Sequence, residues 1–420
     1  MEGSSYLAIL FTVFLTQIKY AQSAGCQIPA DFHGSWFSMG QAGEGVTTNV
    51  DGNGWKQSTE ASRLTCQQIH KNDVTGTTVL MKSEDSSNTC TYCINLFYRT
   101  SNIIQVRQGP CLRGNEGMHI TQRCNTESHI PNDVLSTFFR TTPRVENCKS
   151  TFDGLYTFSY EAASGGGGVC NNPGSRIKAC QDPGSSYVDN QVFLMTYKSC
   201  PDVSASMDKK VRYQCMGSWS AKMSGVTYKF AAIADTVEKD NKEKYKCLMT
   251  IENQRNEDKK IRWAMSRFAD CSSLNSIFAA PLRLVLAPRA LSTPITQAKC
   301  KLPPTLKGDW SVELVEYNAR VKITEDKLIL KPDAVDTEIS YSCQSKPGSI
   351  YVMTKTIEGK CEATLVCVQL EPKKDGSVTF MVGMPTTVNA NTYPNLQQND
   401  FLSVCSGSFL RSKVYKLTAS

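Results

Sequence analysis

Along most of the chain apolar residues recur at every second position, not at helical spacing. Trp219, Ala221 and Met223 share one face, Ser224-Gly225 marks a tight turn, and Val226, Tyr228 and Phe230 resume the alternation on the way back. Period two around a Ser-Gly turn predicts a β-hairpin with one buried face. A second hairpin is predicted where Cys247, Met249 and Ile251 alternate, the polar run Asn253 to Lys260 turns, and Ile261, Trp263 and Met265 return. Towards the C-terminus Trp310, Val312 and Leu314 alternate, and Val321 and Ile323 are set to face Leu328 and Leu330 across the turn Thr324 to Lys327. No long amphipathic helix is visible. The pattern predicts an all-β chain of tandem small disulfide-bonded β-barrel or β-sandwich domains.

An internal repeat organises these strands. The segment Cys26-Gln27-Ile28-Pro29-Ala30-Asp31-Phe32-His33-Gly34-Ser35-Trp36 aligns without a gap with Cys300-Lys301-Leu302-Pro303-Pro304-Thr305-Leu306-Lys307-Gly308-Asp309-Trp310. A second correspondence joins Cys93-Ile94-Asn95-Leu96 to Cys367-Val368-Gln369-Leu370, each preceded by another cysteine, Cys90 and Cys361. Weaker copies of the opening occur at Phe152-Asp153-Gly154-Leu155-Tyr156 and at Cys215-Met216-Gly217-Ser218-Trp219. Four openings predict four units: residues 24–146, a short 147–205, 206–295 including a proline-marked linker, and 296–420 as a repeat of the first.

The cysteines give the structural residues of this reading: Cys26, Cys66, Cys90, Cys93, Cys300, Cys343, Cys361, Cys367 and Cys405, beside Gly34, Trp36, Gly217, Trp219, Gly308 and Trp310. The full count of 18 is even, as expected of a disulfide framework made in an oxidising compartment. Divided by the predicted boundaries, the third and fourth units hold odd numbers. Either at least one bridge crosses from the third unit to the fourth, or one boundary is misplaced by a cysteine.

The amino terminus carries an apolar run from Leu7 to Thr16 followed by Ala21-Gln22-Ser23. This predicts a secretory signal peptide over residues 1–23 and a secreted, extracellular chain without a transmembrane anchor. A hydrophobic content of 40% and a charged content of 20% suit packed cores and exclude wholesale disorder. The formal charge of +7 is dispersed, with Lys209-Lys210, Lys259-Lys260 and Lys373-Lys374 set among acids. No dense basic stripe points to nucleic acid; the charge leaves room for acidic polysaccharides or anionic matrix proteins.

Candidate chemistry is sparse. The four histidines, His33, His70, His119 and His129, lie in the first unit, and none has the i, i+4 or His-x-His spacing of a preorganised metal site. Cys90-Thr91-Tyr92-Cys93 has redox or zinc spacing, yet it lacks a βαβ context and a second pair. The glycine run Ser164 to Gly168 is not followed by Lys-Ser/Thr, so it reads as a loop and not a phosphate cradle. Asp51-Gly52-Asn53-Gly54-Trp55 begins like a calcium loop but puts Trp55 where an oxygen ligand is needed, and reads as a turn. No catalytic, cofactor-binding or metal-ligating residue is predicted, and the chain is expected not to be an enzyme.

The opening Cys26 to Trp36, followed by Phe37, with its copy at Cys300 to Trp310, resembles the start of domains in invertebrate secreted proteins made of tandem cysteine-rich domains of unknown function. That resemblance implies an extracellular setting and supplies no activity. The strand-borne Gly-x-Trp also resembles the first strand of lipocalins, where Trp closes one end of an eight-stranded barrel. Two functions follow as expectations. The first is a non-catalytic extracellular binding or matrix role through the tandem domains, towards a matrix protein or an acidic polysaccharide. The alternative is a lipocalin-like carrier of small apolar ligands, and an apolar cavity inside a barrel separates the two.

Overall fold

The computed structural model describes residues 25–419 except for short segments, the longest being 84–89, 125–134, 253–259, 290–297, 390–404 and 406–412. The predicted signal peptide, His129, most of the glycine run and the boundary at 295–296 lie outside the described residues. The chain is all-β, and its strands close three eight-stranded antiparallel barrels.

The first barrel is a simple meander of β1 (Gly34–Met39), β2 (Gly45–Asp51), β3 (Gly54–Gln57), β4 (Leu64–Asn72), β5 (Gly76–Ser83), β6 (Thr91–Thr100), β7 (Ile103–Gln108) and β8 (Ser136–Arg140). It closes where Trp36 and Phe37 pair with Arg140 and Phe139. The second comprises β9 (Leu155–Ala162), β10 (Arg176–Lys178), β11 (Val192–Tyr197), β12 (Lys209–Met223), β13 (Val226–Asp235), β14 (Tyr245–Ile251), β15 (Ile261–Met265) and β16 (Leu282–Pro288), closing through β16 on β9. The third runs through β17 (Gly308–Glu313), β18 (Asn318–Ile323), β19 (Lys327–Pro332), β20 (Ile339–Ser345), β21 (Ile350–Thr356), β22 (Glu362–Pro372), β23 (Val378–Val382) and β25 (Lys413–Ala419). Its additional strand β24 (Thr386–Asn389) pairs with β22 beyond the point where β23 leaves it.

The two predicted hairpins are present as β12–β13 and β14–β15, and β18 pairs with β19 across the predicted turn, with Ile323 opposite Leu328. The division into four units is replaced by three barrels. Residues assigned to the short second unit and to the third build one barrel, and the 205–206 boundary falls between its third and fourth strands. Gly217 and Trp219 do not open a domain; they lie inside β12, a strand of 15 residues. The glycine there answers to packing: its φ is +124°, and an added Cβ would sit 2.4 Å from Thr100 Cγ2. The true openings are Gly34, Gly154 and Gly308, with φ of +140°, +115° and +145°.

The nine disulfides repeat a frame. Cys26–Cys66, Cys148–Cys215 and Cys300–Cys343 each tie the lead-in of a barrel to its fourth strand. Cys93–Cys124, Cys247–Cys271 and Cys367–Cys405 each tie the sixth strand to the segment before the last. Cys90–Cys111 and Cys170–Cys200 are local additions, so Cys90 and Cys93 hold different partners and form neither a redox pair nor a zinc knuckle. Cys180–Cys361 alone joins two barrels, the second and the third.

By contact the chain divides into two compact units, the first of Met1–Glu146, Met216–Met249 and Ala264–Pro281, the second of Asn147–Cys215, Thr250–Trp263 and Leu282–Ser420. Within the first, the Tyr245 ring stacks on Phe139 at 5.0 Å and its hydroxyl donates to the Arg140 carbonyl at 3.3 Å. Burial pushes that phenol up to about 12. Within the second, Val352, Ala363 and Leu365 form an apolar cluster with the Cys180–Cys361 bridge, and Leu155 packs against it.

Candidate binding chamber in the third barrel

One end of the third barrel is sealed by its own lead-in. The single 3₁₀ turn Pro304–Leu306 crosses the barrel bottom, and the indole N–H of Trp310 donates to the Leu306 carbonyl at 3.0 Å. Leu302, Leu306, Trp310, Ile323, Val378 and Leu417 pack there as a continuous buried core. The first barrel is closed in the same way, by Ala30–Phe32 and a Trp36 N–H bond to the Phe32 carbonyl at 2.9 Å. There a cation is added. The Arg140 guanidinium stands 4.3 Å over the Trp36 ring and donates to the carbonyls of His33 at 3.0 Å and Ser101 at 2.6 Å. Gly34 and Gly308, Trp36 and Trp310 are thus parts of the closed ends.

Towards the opposite end the third barrel holds an apolar pocket that is partly open to solvent. A chamber of about 210 Å³ lies inside the wall, with Leu328, Leu330, Tyr341 and Met353 on one side. Val366, Val368, Phe380, Val382 and Tyr415 complete the wall, and Gly383 and Pro385 stand at its edge, where β22 exchanges β23 for β24. The only polar side chains among these are the two phenols, of Tyr341 and Tyr415. Charged pairs keep to the outside of the barrel: Lys301–Glu325 at 2.6 Å and Lys416–Asp375 at 2.9 Å. The Asp375 carboxyl is held below the usual range first by the Ser377 hydroxyl and then by Lys416. Beside the chamber's edge Met384 and Val414 are exposed apolar side chains, at 52% and 61%.

The registers show which residues occupy the same places in the first barrel. Gly34 pairs with Val50 and Val50 with Trp55; Gly308 pairs with Ile323 and Ile323 with Leu328. Leu328 therefore stands where the first barrel has Trp55. Likewise Met81 pairs with Tyr92 as Met353 pairs with Val366, so Val366 replaces Tyr92. In the first barrel the Trp55 indole is buried and stacks on Phe138 at 6.2 Å, filling its interior. Rings do occur in the third barrel, on other strands: Tyr341 and Phe380 take the places of Leu64 and Val106. In the second unit, part of the second barrel's interior is occupied by Phe158 and Tyr160, each in edge contact with Tyr197, at 5.2 and 5.4 Å. Tyr160 O–H donates to the Lys198 carbonyl at 2.9 Å, and burial holds the Tyr197 phenol well above its ordinary range.

Of the chamber residues, sequence analysis singled out Leu328 and Leu330 as strand partners and Val368 as part of a repeat, none of them as the wall of a cavity. Their meaning depends on register, which a single sequence does not print. Two of the histidines are committed locally: His33 Nε2 bonds the Ile28 carbonyl, and His119 Nδ1 accepts from the Thr121 N–H of a short helical turn. Among the described residues no group of three or more His, Cys, Asp or Glu side chains is placed to hold a metal ion, and no helix is long and apolar enough to cross a membrane.

Two family models match the chain, both described as domains of unknown function. DUF7044 matches residues 24–129, which covers all but the last strand of the first barrel, and DUF7042 matches residues 146–288, the full extent of the second. That one model spans 146–288 agrees with one barrel there and not two units. No curated protein and no solved structure matches.

Proposed function

We propose that this is a non-catalytic extracellular binding protein whose third barrel carries a small apolar molecule. The observation that carries the reading is the pocket at one end of that barrel, about 210 Å³ walled by apolar side chains, in a fold whose sister barrel is filled by Trp55 and Phe138. A partly open pocket with apolar walls that water solvates poorly is what a small hydrophobic ligand exploits. The extracellular setting is supported by nine disulfides, by the apolar run at Leu7 to Thr16, and by the resemblance of the Cys26 and Cys300 openings to secreted invertebrate domains. The first barrel, with its interior filled, has only its outer surface to offer, which supports a macromolecular partner, a matrix protein or an acidic polysaccharide, for that part of the chain.

The test is native mass spectrometry of the oxidised protein from its own secretion, followed by unfolding and extraction. One small apolar molecule per chain, released on unfolding and absent from a Leu328→Trp variant, is the expected result. A bare chain that also takes up no apolar probe in solution would leave the surface role as the whole function.

A further inference from the structure

We infer that the chamber of the third barrel takes up an uncharged group of about eight heavy atoms, a single substituted ring in size, gains nothing from a longer chain and disfavours an anion. This rests on the carrier reading above and adds the ligand class.

Size comes first. An apolar cavity of about 150 Å³ accepts benzene. At the same packing, about 210 Å³ holds roughly eight heavy atoms, below the usual range of drug-sized sites, which begins at about 300 Å³. The chamber has no room to lengthen downwards, because Trp310, Leu302 and Leu306 fill the closed end. A chain longer than the chamber emerges past Gly383 and Pro385, where the lining by described residues ends.

Chemistry comes second. Among the described residues no charged side chain lines the wall, so a carboxylate or ammonium group inside would be stripped of water with no counter-ion from them to replace it. What the wall does offer is ring faces and edges from Phe380, Tyr341 and Tyr415, and the thioether of Met353. Rings pack on these in offset or edge-on geometry, and sulfur adds a polarisable contact. The Tyr415 phenol gives a ring bearing one hydroxyl or carbonyl a partner of its own kind.

Titration calorimetry on the oxidised full-length chain tests this with three probe sets: p-cresol, the primary alcohols from butanol to dodecanol, and octanoate. The expected result is one-to-one binding of p-cresol, affinity for the alcohols rising about fourfold per methylene until about eight carbons and then level, and octanoate at least tenfold weaker than octanol at pH 8. Affinity that keeps climbing fourfold per carbon to dodecanol, or octanoate equal to octanol, overturns the inference and leaves the carrier reading standing. If no probe binds the wild-type chain more tightly than it binds Leu328→Trp and Val366→Tyr, which place the first barrel's residues in the chamber, the carrier reading falls and this inference with it. Two variants are used so that a folding failure in one does not decide the matter.

Discussion

The first and third barrels share an opening, a closed end and two disulfides, and they differ in what occupies the middle. The first spends a tryptophan there; the third places Leu328 and Val366 at the positions of Trp55 and Tyr92 and keeps a chamber. The filled version has its own cost. Trp55 Nε1 and the Thr48 hydroxyl are buried in it without a hydrogen-bond partner, whereas the register equivalents in the third barrel, Leu328 and Val321, have no polar atom to satisfy. The scaffold therefore does not depend on any one interior residue. Closed end and cross-links are common to both barrels, while the residues between them differ in size and polarity.

Three substitutions in the first barrel probe that independence, each read by amide hydrogen exchange over residues 34–140 because a chain of several domains has no single unfolding free energy. The largest effect is expected from Arg140→Ala, which removes the cation over Trp36 and two charge-assisted bonds to carbonyls; about 3 kcal/mol of protection should be lost. The third barrel pairs Trp310 with Ala419 at this place, so an unchanged first barrel would mean that the closed end needs only the indole bond to the turn. Next, Trp55→Leu should cost about 2 kcal/mol and admit a small apolar probe that the wild-type first barrel refuses. Loss of stability with no uptake would mean the barrel collapses on the gap, and that the third barrel's chamber needs more than a missing indole. The smallest effect is expected from Thr48→Val, which grafts the residue at the Val321 position and should raise protection by about 1 kcal/mol. A fall in protection would show that a water satisfies the hydroxyl.

Much of this architecture was legible in the sequence because alternation and turns are local. The hairpins at 219–230 and 247–265 and the repeat of Cys26 to Trp36 at Cys300 to Trp310 needed no partner to be recognised. The middle of the chain misled because Gly217-x-Trp219 imitates an opening, while the real one has tyrosine, Gly154-x-Tyr156. The cysteines held a better signal. The spacing before strand one, on strand four, on strand six and before the last strand recurs in all three barrels, but it becomes a pattern only once the strands are counted. The chamber was out of reach for a different reason. Whether Leu328 lines a void or a packed core depends on Val366 and its other neighbours across the barrel, and volumes add in space, not along the chain.

The bridge between Cys180 and Cys361 also bears on how the protein survives proteolysis. A cut anywhere between Cys271 and Cys300 is spanned by this disulfide and by none of the other eight. Proteolytic trimming in that stretch would yield not two free fragments but a covalent two-chain molecule, one band on a gel without reductant and two with it. The chamber-bearing barrel would stay tethered to its neighbour through a bond that is buried at both ends, Cys180 at 5% and Cys361 at 0% exposure.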